Sequence, residues 1–222
     1  MDAVIKIGGS LAEDPERLKA LCRKLSELAK KYEIVVVPGG GRFADVVRDF
    51  DQRFSLSSGV SHRMAILGMD QFGLLLSDIT PNSRVFRQFD DAKEIFEAKA
   101  MPILLPSHVL FQDDQLENSW DVTSDSIAAY IGERLNVKKV ILVTDVDGIF
   151  TKDPKKHGDA KLIERISAKK LLTMNHRTSV DKFLPKLLSK AKIECYVVNG
   201  KYSARIEAIL AGQRTTCTVI HK

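Results

Sequence analysis

Two apolar runs that each end in glycines constrain the fold of this chain more than any other feature. AVIKI, residues 3–7, runs into GGS, and EIVVVP, residues 33–38, runs into GGG. A helical pattern follows each run, and the first pattern opens with an N-cap and a first-turn proline at Asp14 and Pro15. Short buried strands that alternate with helices predict an α/β sandwich with a largely parallel sheet.

The same alternation continues to the end of the chain. Helices are predicted from about Ala44 and in MAILGMDQFGLLLSD, DDAKEIFEAKA, TSDSIAAYIGERLN, SVDKFLPKLLSKA and SARIEAILAG, which Gly212 closes. Further strands are predicted in SRVF, MPILLPSHVL (a strand and then a turn), KKVILVT, IECYVVNG and TTCTVI. Ligands of such sheets bind beyond the C-terminal strand ends, so we expect the polar loops that follow the strands to share one edge.

Composition restricts the class of protein. The 222 residues suit one domain or two closely joined lobes. The net charge of +5 comes without a strong basic tract, so we do not expect a nucleic-acid partner. No stretch is long and apolar enough to span a membrane and the N-terminus lacks a signal-peptide pattern, so we expect no membrane association and a cytoplasmic location. The widely separated Cys22, Cys195 and Cys217 predict packing roles.

Glycine-rich strand ends predict anion binding. Without a Cβ, the backbone N–H groups of KIGGSL, PGGGRF and VTDVDGIF can approach a phosphate closely. One such turn is equally well explained as a tight turn, but several in one α/β chain favour function. GGGRFADV lacks the lysine and serine of a P-loop and supplies only half of a dinucleotide fingerprint. Lys6, inside an apolar strand beside a glycine turn, points either at a ligand or, on an edge strand, at solvent.

Five motifs in order carry a resemblance to a known family. KIGGSL, VVPGGGRFAD, DVTSDSIAA, VTDVDGIFTKDP and FLPKLL resemble the amino acid kinase superfamily, which includes acetylglutamate, uridylate and isopentenyl phosphate kinases. The resemblance implies a three-layer α/β/α sandwich with a central mainly parallel sheet in a single domain, 1–222. It also implies that an N-terminal lobe, about 1–112, binds the phosphoryl acceptor and a C-terminal lobe, about 113–222, binds ATP. Transfer would be direct and in line.

The same resemblance implies roles for individual residues. Lys6 resembles the lysine that contacts the transferring phosphoryl group, and Asp125 the aspartate that holds the catalytic lysines. Lys186 resembles the second lysine, on the nucleotide side, and Lys182 competes for this role because both are expected on one face of a helix, four residues apart. Either Thr123 or Ser124 is expected to cap the helix that carries Asp125.

Two sets of residues complete the expected site. Phosphate and acceptor binding is expected at Gly8, Gly9, Ser10, Gly40, Gly41, Arg42, His62, Thr123 and Ser124. Nucleotide binding is expected at Thr144, Asp145, Gly148, Phe150, Asp153 and Pro154. Mg²⁺ is expected to bridge the ATP phosphates without dedicated protein ligands.

Arg42 directs the expectation toward a phosphorylated acceptor. Arginine suits bidentate phosphate contact, although it is also common on solvated surfaces, and a phosphate acceptor would give a phosphoanhydride. HRMAILGMDQFGLLLSD and ENSWDVTSDSIAA are similar to a small subgroup that phosphorylates 5-(aminomethyl)-3-furanmethanol phosphate in methanofuran biosynthesis. The candidates to face its amine are Asp70, Asp78 and Asp121, and those to stack on its furan ring, or only to pack, are Trp120 and Phe43.

Other readings stay open. A uridylate kinase is an alternative because TSD here is close to the TTD of those enzymes. An isopentenyl phosphate kinase is less favoured, because such kinases carry GGGSFGH-like sequences where this chain has GGGRFAD. A nucleotide-binding regulator or storage subunit that has lost catalysis is the alternative outside the enzymes. Relatives form dimers or larger assemblies, so a homo-oligomer is expected.

Overall fold

A computed structural model describes residues 1–113, 115–174 and 178–222. Within these ranges the strands are β1 (Ala3–Ile7), β2 (Ile34–Pro38), β3 (Ser83–Phe86), β4 (Met101–Leu104), β5 (Lys139–Thr144), β6 (Ile149–Phe150), β7 (Leu162–Ile163), β8 (Arg165–Ser167), β9 (Glu194–Asn199) and β10 (Thr218–His221). The helices are α1 (Pro15–Ala29), α2 (Gly41–Phe54), α3 (Ser58–Ile79), α4 (Ala92–Glu97), α5 (Ser107–Gln112), α6 (Ser124–Arg134), α7 (Ala168–Leu172), α8 (Leu184–Leu188) and α9 (Ala204–Leu210).

The central sheet is mainly parallel. Its eight strands run in the order β3-β4-β2-β1-β5-β9-β10-β8, and a separate pair joins β6 to β7. In the large sheet the neighbours pair in parallel, except that β9 and β10 are antiparallel. The chain order reverses between β1 and β5, so the crevice beyond the C-terminal ends of these strands is the expected ligand site.

Helices cover both faces of the sheet. Ile5 and Ile7 of β1 pack in one buried cluster with residues of α1 and α9, whereas Val4 packs in a second cluster with residues of α6 and α8. Alternate side chains of a strand face opposite sides, so β1 is apolar on both. The predicted three-layer α/β/α sandwich is therefore confirmed. The buried positions of Cys22, Cys195 and Cys217 agree with the predicted packing roles.

Three local predictions were wrong. Helix α2 begins at Gly41 rather than near Ala44. The residues SHVL, expected to form a turn after β4, are the first part of a short helix, α5. The helix expected over SVDKFLPKLLSKA is confined to Leu184–Leu188, with Pro185 in its first turn. Proline has no N–H to bond the carbonyl four residues earlier, so a helix cannot extend through it toward the N-terminus. Lys182 therefore lies outside α8 and does not share a helical face with Lys186.

None of the described helices is both long enough and apolar enough to cross a membrane.

Candidate active site

The first two glycine turns touch each other. Strands β1 and β2 are parallel neighbours, so their C-terminal ends lie side by side. A Cβ added to Gly9 would lie 2.1 Å from Cα of Gly41. Gly41 itself has φ +52°, a conformation that residues with a Cβ rarely adopt. Only glycine fits this contact, which brings the backbone of the first turn against the N-terminus of α2.

This arrangement brings two sets of backbone N–H groups close together. The first N–H groups of α2 have no partner inside the helix, and the N-terminus of a 14-residue helix favours an anion. Gly9 opens a 3-10 helix that runs to Glu13, so the first turn also presents its early N–H groups. Gly8 differs from the expectation, because its N–H donates to the carbonyl of Val143 at 2.8 Å. It continues the pairing of β1 with β5 and is not available to a ligand.

Lys6 and Asp125 form a buried ion pair. Lys6 projects from β1 toward α6, and Asp125 stands in the first turn of α6. Lys6 Nζ lies 2.6 Å from Asp125 Oδ1, and the two side chains are 10% and 9% exposed. Strand β1 lies inside the sheet, so the edge-strand reading of Lys6 is wrong. Burying two charges carries a desolvation cost, which their close contact offsets.

Asp181 supports this pair, although its role was not expected from the sequence. Its Oδ2 accepts from Thr123 N (2.9 Å), Thr123 Oγ1 (2.9 Å) and Ser126 N (3.0 Å). Its Oδ1 accepts from Ser126 Oγ (2.5 Å) and Leu184 N (2.9 Å). Its own N–H donates to Asp125 Oδ2 at 3.2 Å. The carboxylate of Asp181 thus caps both α6 and α8, and its backbone N–H holds Asp125.

The capping of α6 differs from the expectation. Thr123 occupies the N-cap position, but its side chain makes no cap hydrogen bond to the helix. Asp181 supplies that acceptor instead. Burial, followed by the nearby charge of Asp125, raises the pKa of the Asp181 carboxyl. The sequence offered no N-cap signal for it, because Asp181 stands two positions before Phe183, the N-cap residue of α8.

A cavity of about 400 Å³ opens beside the two glycine turns. The phosphate and acceptor residues expected from the sequence line it, apart from Gly8: Gly9, Ser10, Gly40, Gly41, Arg42, His62, Thr123 and Ser124. Apolar side chains of α3 and α6, among them Ile66, Met69 and Ile127, form another part of its wall. The structure thus places a small, partly apolar space next to a backbone anion site. We call it the acceptor cavity.

Two arginine–carboxylate pairs border the acceptor cavity. Arg42 donates from Nε and Nη2 to the two oxygens of Glu13, at 2.9 and 2.8 Å. Arg48 Nη1 lies 2.8 Å from Asp45 Oδ1, and its guanidinium stacks 4.5 Å from the ring centre of Trp120. The hydrogen bonds between Arg42 and Glu13 lower the pKa of the Glu13 carboxyl. Among these residues the sequence analysis had singled out only Arg42 and Trp120.

Other side chains expected at the acceptor lie elsewhere. Asp70 accepts from the backbone N–H of Ser107 at 3.1 Å and so caps α5. Asp78 is exposed near the end of α3, and Asp121 pairs with Lys182 at 3.2 Å. Phe43 packs against the buried cluster beneath α1. None of these four side chains lines the acceptor cavity, whereas Trp120 does.

A second cavity of about 770 Å³ lies across the sheet edge. It is lined by the residues expected to bind the nucleotide: Thr144, Asp145, Gly148, Phe150, Asp153 and Pro154. Lys152, Lys155 and Lys156 add positive charge, and Lys155 Nζ lies 2.6 Å from Asp145 Oδ2. We call this space the donor cavity. Ser10 lines both cavities, so both border the first glycine turn.

The lysine expected on the nucleotide side lies away from both cavities. Lys186 is half exposed and its ammonium contacts Glu117. It lines neither the acceptor nor the donor cavity. Lys182 borders a further cavity that also contains Asp125 and Asp181.

Among the described residues, no group of three or more His, Cys, Asp or Glu side chains is arranged to hold a metal ion.

Comparisons with known proteins agree with this geometry. The model of the amino acid kinase family matches residues 1–199. The [5-(aminomethyl)furan-3-yl]methyl phosphate kinase of Methanocaldococcus jannaschii is 42% identical over 218 residues, which cover 98% of this chain and 96% of that protein. The uridylate kinase of Archaeoglobus fulgidus superimposes with a TM-score of 0.77 at 23% identity, covering 99% of this chain and 100% of that one. The isopentenyl phosphate kinase of T. acidophilum gives 0.65 at 22% identity, covering 100% of both chains. The chain belongs to the amino acid kinase family.

Proposed function

We propose that this protein is an ATP-dependent kinase that phosphorylates [5-(aminomethyl)furan-3-yl]methyl phosphate to the diphosphate, a step of methanofuran biosynthesis. The observation that carries the proposal is that Ser10 lines both the acceptor and the donor cavity, directly after the first glycine turn, which lies close to the buried Lys6–Asp125 pair. The 42% identity to a kinase of that name, over 98% of the chain, supports the choice of acceptor.

The proposed transfer is a direct displacement. A phosphate oxygen of the acceptor attacks the γ-phosphorus of ATP, and a new O–P bond forms as the bond to the β–γ bridging oxygen breaks. ADP leaves with that electron pair. No proton has to be removed from the acceptor, because the attacking phosphate oxygen is already ionised. The protein contributes position and charge neutralisation around a loose transition state. Lys6 supplies positive charge and the first N–H groups of α2 supply hydrogen bonds, whereas Asp125 orients Lys6.

The donor cavity is proposed to hold ATP. Its basic wall of Lys152, Lys155 and Lys156 suits a polyphosphate. Mg²⁺ would be carried by the ATP phosphates, where it lowers their charge. In this proposal the division of labour follows the chain, with acceptor groups mainly in residues 1–112 and nucleotide groups mainly in 113–222. A cytoplasmic location is part of the proposal because ATP is supplied there.

Size supports a small acceptor. A cavity of about 400 Å³ lies at the lower end of the range for small-molecule sites. Uridylate and isopentenyl phosphate are the alternative acceptors, and a regulator without catalysis is the alternative outside the enzymes. The burial of Lys6 and Asp125 argues against the regulator, since a chain released from catalysis has no need of a costly buried ion pair.

A homo-oligomer is also proposed, with a surface of α2 and α3 as the interface between copies. Val46, Phe50 and Phe54 recur every four residues on α2 and are exposed, Phe54 at 68%. Val60, Leu67 and Leu74 recur every seven residues on α3 and are exposed as well. Several exposed large apolar side chains on two neighbouring helices are typical of a subunit interface.

Turnover with a panel of acceptors tests the activity. The protein would be mixed with Mg-ATP and, separately, with [5-(aminomethyl)furan-3-yl]methyl phosphate, UMP and isopentenyl phosphate, and ³¹P resonances would be followed. We expect a diphosphate from the furan compound and a loss of that product in Lys6→Ala. Faster turnover of UMP would establish a uridylate kinase instead. ATP binding without transfer to any acceptor would establish the regulator.

A further inference from the structure

The charged groups of the acceptor cavity form an alternating row. Arg42, Asp45 and Arg48 are three residues apart on α2, so they lie along one side of the helix, and Glu13 adds a carboxylate at its N-terminal end. Among the described residues that line this cavity, Glu13 and Asp45 are the acids. A phosphate site has no evident use for two carboxylates, because each repels the ligand. Both acids are paired with arginines of the same row, and a cation on the acceptor is a ligand that a carboxylate there would attract.

The two carboxylates are held differently. Both oxygens of Glu13 are occupied by the fork of Arg42, at 2.9 and 2.8 Å. Asp45 has a described contact through one oxygen, to Arg48 at 2.8 Å, and its side chain is 68% exposed. Arg48 has a second hold on the protein, through its stacking on Trp120. Asp45 can therefore turn to another cation while Arg48 stays in place.

Position along α2 also selects Asp45. A phosphate bound at the N-terminus of α2 lies beside Gly41, and Asp45 comes four residues later, about 6 Å along the helix axis. A group that extends from the phosphate across one small ring along the helix would end beside Asp45. The apolar wall that includes Ile66 and Met69 suits the ring between them.

We propose that Asp45 binds the ammonium group of a zwitterionic phosphomonoester and thereby selects the acceptor. This inference rests on the proposed function and adds the residue that distinguishes an amine-bearing acceptor from a purely anionic one. Glu13 has a different role, because it holds Arg42 beside the glycine turns, where the phosphate of the acceptor would bind. An acceptor without the amine would leave Asp45 paired with Arg48 alone and would gain no contact from it.

The test compares two acceptors that differ only in the amine. These are [5-(aminomethyl)furan-3-yl]methyl phosphate and (5-methylfuran-3-yl)methyl phosphate, measured as kcat/KM in the wild type, Asp45→Asn, Glu13→Gln and Asp49→Asn. Asp49 pairs with Arg53 on the same helix and does not line the cavity, which makes it the matched control. We expect the wild type to favour the amine by about 10- to 100-fold, the range for a charged hydrogen bond.

The expected pattern separates the roles of the two acids. In Asp45→Asn the preference should fall to about threefold or less, mainly through KM of the amine compound. In Glu13→Gln both acceptors should lose to a similar extent, and Asp49→Asn should behave as the wild type. An unchanged preference in Asp45→Asn, or a loss shared equally by both acceptors, would overturn the inference.

Calorimetric binding distinguishes this failure from that of the proposed function. If the wild type phosphorylates neither furan compound, the proposed function fails. Binding of the two compounds to the wild type and Asp45→Asn then decides the inference alone. Tighter binding of the amine compound that disappears in Asp45→Asn would uphold the role of Asp45, and any other result would refute it.

Discussion

The ammonium of Lys6 lies 2.6 Å from a carboxylate oxygen of Asp125, and the two groups come from the central strand and from the helix that crosses it. The second oxygen of Asp125 accepts from the backbone N–H of Asp181 at 3.2 Å. The position of Lys6 therefore depends on three segments that are distant in sequence. This chain of contacts links the glycine turns to the segment before α8.

Removal of Lys6 should abolish turnover. We expect Lys6→Ala to lower kcat by at least about 100-fold, the loss typical of one transition-state donor. The variant also leaves Asp125 buried without its partner, which should destabilise the fold by about 3–5 kcal/mol. ADP release and thermal unfolding measure the two effects. Lys6→Ala/Asp125→Asn should recover stability without recovering activity, and activity in either variant would contradict the proposed role.

Asp181 should act as a positioning residue with a signature in pH. Its ionised carboxylate accepts from backbone N–H groups, and burial raises its pKa, so it takes up a proton at a higher pH than an exposed aspartate. As the pH falls toward that raised pKa, the Asp181 carboxylate takes up a proton and its hydrogen bonds from the backbone N–H groups weaken. We expect kcat to fall with them.

Substitution should remove that signature. We expect Asp181→Asn to lower kcat about tenfold at neutral pH, to leave KM for the acceptor nearly unchanged and to flatten the acid limb of the pH–rate profile. Asp121→Asn, an exposed aspartate paired with Lys182, is the control. An acid limb that persists in Asp181→Asn would assign it to another group.

The second lysine can be identified by paired substitutions. The ion pair of Lys186 with Glu117 is exposed, and such pairs contribute about 0–1 kcal/mol, so ATP phosphates can draw the long side chain away. We expect Lys186→Ala to lower kcat about tenfold or more and to raise KM for ATP, and Lys182→Ala to change either by less than about threefold. A larger loss in Lys182→Ala would transfer the role to Lys182, which borders the cavity of Asp125.

The contact between the glycine turns should not tolerate a methyl group. In Gly9→Ala the new Cβ would meet Cα of Gly41 at 2.1 Å, and backbone on both sides must move. We expect a loss of about 1–3 kcal/mol of unfolding free energy and a loss of activity larger than that of stability. Gly158→Ala is the control, since its Cβ would meet nothing within 4 Å. Wild-type activity in Gly9→Ala would contradict a catalytic role for this contact.

The apolar surface of α2 and α3 should control the oligomeric state. We expect Phe50→Asp/Phe54→Asp to shift the protein from oligomer to monomer in light scattering after gel filtration, because two charges would be buried in the interface. Leu172→Asp carries the same change at an exposed position on α7 and should leave the assembly intact. A monomeric wild type, or an oligomer unaffected by the double substitution, would refute the interface.

Local patterns predicted most of the fold and the backbone part of the site. Gly9, Gly41 and Lys6 were identifiable because strand, glycine and helix follow one another directly in the sequence. Pro185 was expected near the first turn of α8 and lies there, but the short length of this helix was not identifiable from its apolar spacing.

Side-chain partners across the crevice were beyond the sequence. Glu13 and Arg42 are separated by 29 residues, and Asp181 and Thr123 by 58. Such pairs depend on strand order and helix rotation, which a single sequence does not specify. For the same reason the sequence did not choose among Asp70, Asp78 and Asp121 for the amine, and the carboxylate of Asp70 bonds Ser107 of α5.

Ser10 has a consequence for the design of inhibitors. Ser10 borders both cavities. In a molecule that joins a nucleoside to an acceptor mimic, we therefore expect the linker to run past this residue. Such a bisubstrate compound would gain the high effective concentration of tethered binding only when its linker matches the path between the cavities. In a series of compounds with increasing numbers of linking phosphates, the compound that binds most tightly would therefore report the length of that path.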